Sequence, residues 1–484
     1  MERTVIHALG LMIAVFSLAY VMPVITALIY ADLTLLKDFL LAMGWTVIIG
    51  GVLWFSTRHY KGELSIRQGY LLVVAMWTAM PAVATLPLLM VLPGLSFTDA
   101  YFETMSGLST TGATVLTGLD HLPPAINIWR HELNWLGGMG IIVLAVAVMP
   151  LLGIGGRQLF KAETPGPIKE TKLAPRITET ARNLWLVYLV ITLACIASLK
   201  LVGMNWLDAI CHAFAAMGLG AFSTHDASIG YFNSPAIEAV LMVFMLLAAM
   251  NFATHFLVWR KKSLMPYRLD VEGLSTLGLV LSSCAGIAVF LWWKGSYPNF
   301  WTALRYASFN VVSMATDCGL NNADFNRWPI FAPLWLLFLG CITASSGSTG
   351  GGIKMIRTLV LFKQAGREFI RLLHPSAVNP LKIGGQVIPN NVVFSVLGFI
   401  FLYFMSVVVL TFTLLISGLD FVSAFSAVIA CINNAGPGLG VVGPASNYQG
   451  LTDFQTWICA LSMLIGRLEI FTVLILFTPH FWRR

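Results

Sequence analysis

Charge is what this sequence has least of. Only 11% of its 484 residues are Asp, Glu, Lys or Arg, against about 25% in a water-soluble domain, while 57% are hydrophobic and the mean hydropathy is +0.80. That balance excludes a soluble globule. Paired cysteines are lacking as well: Cys195, Cys211, Cys284, Cys318, Cys341, Cys431 and Cys459 stand singly, with no CxxC spacing. Their pattern argues against a disulfide framework or a thiolate metal site and leaves them as small core residues. No polar stretch is long enough for a sizeable soluble domain, so any nucleotide-binding or catalytic domain is expected on another chain. The first apolar run, VIHALGLMIAVFSLAYVMPVITALIY, has no small-residue cleavage site and exceeds a signal-peptide core, so it reads as a retained helix.

What is there is a series of apolar runs from Val5 to Phe477, many near the roughly 20 residues that cross a bilayer. The cations between them alternate. The connections 57–68, 153–183, 259–270 and 361–390 hold seventeen Lys and Arg, whereas 93–127, 205–233, 295–327 and 418–452 hold two. This asymmetry places the basic connections and both termini in the cytoplasm. Topology and lipid headgroups account for the net charge of +7 without a nucleic-acid partner.

The poorly charged outer connections each carry a short aromatic-rich segment ending in glycine. After apolar runs near 5–30 and 38–56, one plan recurs four times: spanning helix, short helix, glycine turn, spanning helix. The turns are LSTTGATVL (108–116), AMGLGAFST (216–224), MATDCGLNN (314–322) and CINNAGPGLG (431–440). Phe102 and Phe309 stand ten residues before Gly112 and Gly319. The spanning partners are 69–92 with 128–152, 181–204 with 234–260, 274–294 with 328–364, and 392–417 with 453–477. Ten crossings follow. The expected division is 1–68 for two N-terminal helices and 69–152, 153–260, 261–364 and 365–484 for the repeats. The fold class is therefore an all-α membrane protein with four helix–pore loop–helix repeats around a pseudo-fourfold pore.

Glycine and hydrogen-bonding residues are tolerated at membrane depth only where backbone is buried in protein or lines water. Four such turns about one axis make a ring of carbonyls that can replace the hydration shell of a cation. The negative C-terminal ends of the short helices would point at the axis. No ring of carboxylates lines the turns, and Asp317 is their only acid, which suits a monovalent ion.

The four unequal copies, with STTGAT, FSTHD and NNAGPGLG, resemble the Trk/Ktr/HKT superfamily of K+ transporters over essentially the whole chain. The likeness is strongest to the membrane subunits of bacterial Trk uptake systems, which carry two extra N-terminal helices. The resemblance implies a K+ selectivity filter with one glycine per repeat, here Gly112, Gly220, Gly319 and Gly436. Thr110, Thr111, Leu219, Cys318, Asn434 and Ala435 would present carbonyls to K+. The second turn departs from the family's threonine-glycine-glycine form, and Gly218 is its alternative filter glycine. The resemblance further implies a homodimer in the bacterial inner membrane, with the cytoplasmic nucleotide-binding regulatory subunit TrkA docked on the basic inner loops. It gives no enzymatic activity and no nucleotide bound by this chain.

Two glycine motifs invite another reading. SSGSTGGGIK (345–354) lacks the Walker spacing, since Ile353 separates Gly352 from Lys354 and no hydroxyl follows; apolar helix also flanks it on both sides. GLGVVG (438–443) spells GxGxxG but follows a pore turn rather than a strand, and is expected to be a flexible exit from the filter. Trp328 to Phe362 would run about 50 Å as one helix against a core of about 30 Å, so it breaks at Ser345–Gly352. That break is either a static kink or, as the resemblance implies, an intramembrane gating loop of Ser345, Ser346, Gly347, Ser348, Thr349, Gly350, Gly351 and Gly352.

Arg467 lies deep in the last apolar run, where a charge is costly and usually functional. It either pairs with Glu469 or, as the resemblance implies, projects beneath the filter as a barrier that contributes to gating. Lys354 could act similarly or snorkel to the inner interface. Glu103, Asp120, His121 and Asp226 are expected at the outer mouth, as cation attractors or solvated rim residues. His212 and His255 lack metal-ligand spacing and read as hydrogen-bonded core residues, and Asp317 as a brace for its own turn. The rivals to a K+ conductor are a Na+- or H+-coupled symporter, which would break helices in pairs where only one is broken here, and a membrane phosphotransferase.

Overall fold

A computed structural model describes residues 2–60, 65–147 and 177–483. Most of the basic connection 153–183, part of 57–68, and the end of the expected helix 128–152 lie outside the described residues. The described chain is mostly helical; the only sheet among these residues is a hairpin of β1 (Lys382–Ile383) and β2 (Gln386–Val387).

Helices α1 (Glu2–Phe16), α2 (Val21–Ile29) and α3 (Leu33–Ser56) form the N-terminal pair of crossings. Asp32 starts α3 by accepting the N–H groups of Thr34 and Leu35, which satisfies donors that have no partner inside a helix. α1 packs on α3, and Tyr20 stacks on Trp129 with ring centroids 4.5 Å apart. The first repeat follows as α4 (Ile66–Ala84), α5 (Leu86–Val91), the short α6 (Phe97–Leu108) and α7 (Pro124–Ala147). The second has α8 (Ile177–Leu201), the short α9 (Trp206–Gly218), α10 (Pro235–Ala248) and α11 (Phe252–Lys261). After α12 (Met265–Leu269), the third has α13 (Val271–Trp293), the short α14 (Phe300–Ala315), α15 (Phe331–Ile342) and α16 (Met355–Leu373). The fourth has α17 (Asn390–Ile416), the short α18 (Phe421–Ile432), α19 (Asp453–Arg467) and α20 (Ile470–Leu474), before a terminal α21 (Pro479–Trp482).

The short helices connect the repeats in a circle. α9 packs against α7 of the first repeat, α14 against α10 of the second, α18 against α15 of the third, and α6 against α19 of the fourth. Phe102 and Phe309 are fully buried within this assembly, as are Cys195, Cys211, Cys318, Cys431 and Cys459.

Among the described residues six helices are long and apolar enough to span a membrane, or eight if two bent pairs each count once. The chain is thus a multi-pass membrane protein. The other two expected crossings are α7, which carries Arg130, His131 and Glu132, and α15, whose 12 residues stop short of a full crossing. The expectation of one broken helix is wrong. Besides the interruption between α15 and α16, α10 and α11 meet at 95°, and α19 meets the segment 470–477 at 114°. Asn251 opens α11 as its cap, accepting from Ala253 N–H at 2.8 Å, and Glu469 takes a left-handed φ of 58° at the second bend. Neither bend has a proline or glycine run to announce it.

Candidate functional site

Each short helix begins with a polar cap. Ser96, Asn205, Asn299 and Asp420 accept the N–H groups of Asp99, Asp208, Thr302 and Ser423 at 3.0, 2.7, 2.8 and 3.1 Å. Each ends in one left-handed residue that turns the chain back: Thr110 (φ 57°), Leu219 (56°), Asp317 (63°) and Asn434 (57°). The next residue donates its N–H five residues back, Thr111 to Ser106, Gly220 to Ala215, Cys318 to Ser313 and Ala435 to Ala430, at 2.8–2.9 Å. The residue after that is Gly112, Ala221, Gly319 or Gly436.

This corrects the register of the second turn. Gly220 matches Thr111 rather than Gly112, and Gly218 is the last residue of its helix; the position matching Gly112 is Ala221. Gly220 instead faces Asn134, whose side-chain amide nitrogen would lie 2.5 Å from a Cβ added there. The spacing in the sequence carries this register, since sixteen residues separate Ser96 from Gly112, Asn205 from Ala221 and Asp420 from Gly436. The third repeat has one extra helical turn, with twenty residues from Asn299 to Gly319.

The four turns meet. A Cβ at Gly112 would fall 1.9 Å from Ala221 N, one at Gly319 1.9 Å from the Ala435 carbonyl, and one at Gly436 2.7 Å from the Thr111 carbonyl. Thr111 and Asn434 are joined directly, Asn434 Nδ2 donating to Thr111 Oγ1 at 3.0 Å and to the Met463 carbonyl at 3.1 Å. Tyr448 OH donates to the Gly436 carbonyl at 2.9 Å. Beyond the ring is a small, half-open cavity of about 70 Å³, lined by residues of all four turns including Thr114, Ala221, Asn321 and Pro437.

One residue expected at the rim braces this ring instead, while others lie where the sequence put them. Glu103 is not a rim residue: it is 1% exposed, pairs with Arg130 at 2.7 Å, and accepts from Thr114 Oγ1 and Val115 N–H at 2.9 and 3.0 Å. It holds the exit of the first turn. His212 is a core residue as expected, bonded to the Asp208 carbonyl and Ser223 Oγ, both at 2.9 Å. His255 bonds Tyr267 OH at 2.7 Å and the Leu247 carbonyl at 2.8 Å. At the mouth, His225 lies between Asp120, to which it is hydrogen-bonded, and Asp208 at 3.4 Å, stacked on Tyr231. Asp120, His121 and Asp226 are exposed, Asp226 accepting from Leu119 N–H at 3.1 Å. GLGVVG is pinned rather than flexible, with Leu439 and Val441 N–H donating to Ser426 and Ser423 Oγ at 2.7 and 3.0 Å.

On the opposite side of the ring lies the interruption between α15 and α16. Its residues press on the C-terminal ends of the short helices. Thr349 Oγ1 donates to the Met217 carbonyl at 3.0 Å, and a Cβ at Gly351 would lie 1.9 Å from the Asn433 carbonyl. Ser345 N–H donates to the Ala249 carbonyl at 3.1 Å, and Phe252 N–H to the Gly347 carbonyl at 3.1 Å, so the bend between α10 and α11 cradles the loop. Glu272, which sequence reasoning missed, accepts Ser346 N–H at 2.7 Å and Ile356 N–H at 3.2 Å. Ser346, Ser348, Gly350 and Gly352 complete a segment in which every hydroxyl-bearing residue is buried.

Arg467 reaches this loop. Buried to 3% exposure, it donates to the Thr349 carbonyl at 3.0 Å and to the Gly137 carbonyl at 2.9 Å. It does not pair with Glu469, which bonds Arg357 at 2.9 Å instead. Lys354 does not extend to the interface: it curls back to the carbonyl of Gly350 in its own loop. Asp317 does not brace its own turn. Its fully buried carboxylate faces the loop and α15, Oδ2 lying 3.5 Å from a Cβ added at Gly350 and Oδ1 3.0 Å from one at Gly340.

Comparison with known proteins accords with this arrangement. Residues 35–291 and 296–484 match the TrkH family, described as cation transport proteins. The chain is 45% identical to the Trk system potassium uptake protein TrkH of Salmonella typhimurium over 485 residues, covering 99% of each chain. It is 44% identical to that of Halomonas elongata over 487 residues, covering 100% of this chain and 99% of the relative. The crystal structure of the potassium transporter TrkH from Vibrio parahaemolyticus superposes with a TM-score of 0.91 at 43% identity, covering 100% of both chains. On ring, loop and likeness together, this chain belongs to the TrkH family of cation transport proteins.

Proposed function

We propose that this chain takes up K+ across the cytoplasmic membrane of a bacterium as the ion-conducting subunit of a Trk system. The convergence of Thr110–Gly112, Leu219–Ala221, Cys318–Gly319 and Asn434–Gly436 on one point between an outer cavity and a buried loop carries this reading. Their carbonyls exchange for the ion's water. Asp420, Ser96, Asn205 and Asn299 fix where each short helix starts, so the partial negative charge at its other end falls beneath the ring. The membrane potential, worth about 2.3 kcal/mol per charge per 100 mV, drives K+ inward. No covalent step is required.

The loop 345–352 is the gate in this reading, and Arg467 its clamp, placing a positive charge on the inner side of the ring. The basic connections and both termini face the cytoplasm, where a TrkA-type nucleotide-binding ring engages a homodimer of this chain and moves the loop. Cation-coupled symport is the second reading, favoured by the bends at Ala249–Asn251 and Leu468–Glu469, since symporters use broken helices. Reconstituted into liposomes, the purified chain is expected to carry K+ under an imposed potential alone. Flux that requires a Na+ or H+ gradient would instead establish symport.

A further inference from the structure

Ala221 breaks the equivalence of the four turns. Gly112, Gly319 and Gly436 have φ of 73°, 75° and 87°, whereas Ala221 is absent from the left-handed residues among those described. The physical reason is its Cβ, which makes that region unfavourable for any residue but glycine and, less often, Asn or Asp. The fourth position therefore presents its peptide to the axis differently from the other three. Its methyl also takes up room that they leave open, since Cβ atoms added at Gly112, Gly319 and Gly436 would fall 2.7, 2.8 and 2.6 Å from Ala221 Cβ. One methyl thus lies beside all three glycines. Ala221 is half-buried and lines the outer cavity, so it stands where an ion enters.

We infer that Ala221 is a specificity-determining residue whose methyl sets the largest dehydrated cation the ring admits. The inference rests on the conduction reading above and adds to it a constriction on one side. A packed site responds to a single misplaced methyl. A large cation such as Cs+ must push that methyl aside, while K+ passes within the space the three glycines leave. A glycine at this position would restore both the volume and the left-handed conformation.

The test compares the full-length wild-type chain with Ala221→Gly in liposomes, reading the Cs+/K+ flux ratio, from which the folded and open fractions cancel. The ratio is expected to rise by roughly fivefold or more in the variant, the low end of what one overpacked methyl costs. A second reading uses thermal midpoints of the same proteins in detergent, titrated with KCl or CsCl. K+ is expected to stabilise the wild type more than Cs+ does, and the variant is expected to close that gap. This arm decides if the variant conducts nothing. Unchanged Cs+/K+ discrimination in the variant overturns the inference while leaving conduction intact. A wild type that neither conducts K+ nor is stabilised by it overturns the conduction reading itself.

Discussion

His225 shows how one side chain ties the outer mouth together. Burial alone would lower its pKa, but hydrogen bonds to Asp208 and Asp120 outweigh that and raise it above the ordinary 6.5. Burial pushes Asp208 the other way, yet its bonds to His225 and Thr224 bring it down to about 2 from 3.8. Stability from the raised His225 is complete below 6.5 and lost as pH rises through its folded pKa; that from Asp208 is complete above 3.8 and lost as pH falls through about 2. The mouth is therefore tightest between 3.8 and 6.5. Amide exchange across 225–231, corrected for its intrinsic pH dependence, should speed up above that window. His225→Asn should remove the rise, and an unchanged profile in that variant contradicts the assignment. FSTHD stood out in the sequence, but its partners did not, because Asp120 lies about a hundred residues away. Ala221 was hidden for a different reason: a glycine beside it in GLGAF drew the register one place early, and only the capping distance from Asn205 corrects it.

In the proposed reading, the loop between α15 and α16 is the element that gates conduction. Its existence was legible, because 35 residues of helix cannot fit a bilayer and Ser345–Gly352 is where helix propensity collapses. Its contacts were not, since Thr349 meets Met217 and Arg467 across more than a hundred residues. The clamp proposed for it consists of two bonds from the Arg467 guanidinium to carbonyls of the loop and of α7. Deleting Gly350–Gly352, or replacing Arg467 by alanine, is expected to raise K+ flux in liposomes without any partner. Flux equal to wild type in both would leave the loop a static kink. The bends after Ala248 and Arg467 were invisible in the apolar pattern, since hydropathy continues across them; only Asn251 as a cap and the left-handed Glu469 produce them.

At the scale of the molecule, the four repeats support one another in a circle, each short helix leaning on a neighbouring repeat. That plan was legible because four alternate connections were poor in cations and repeated a glycine turn. What the pattern could not carry was the bracing from outside the turns: Glu103 with Arg130, Tyr448 on Gly436, and Glu272 beneath the loop. Such contacts depend on which distant helices become neighbours. In the proposed reading, a ring braced in this way does not close around a smaller ion, and selectivity for K+ is the central claim. The most direct measurement is flux of K+, Rb+ and Na+ into liposomes containing the purified chain under one imposed potential. K+ and Rb+ are expected to enter while Na+ enters poorly; Na+ entering as fast as K+ contradicts a selective carbonyl ring.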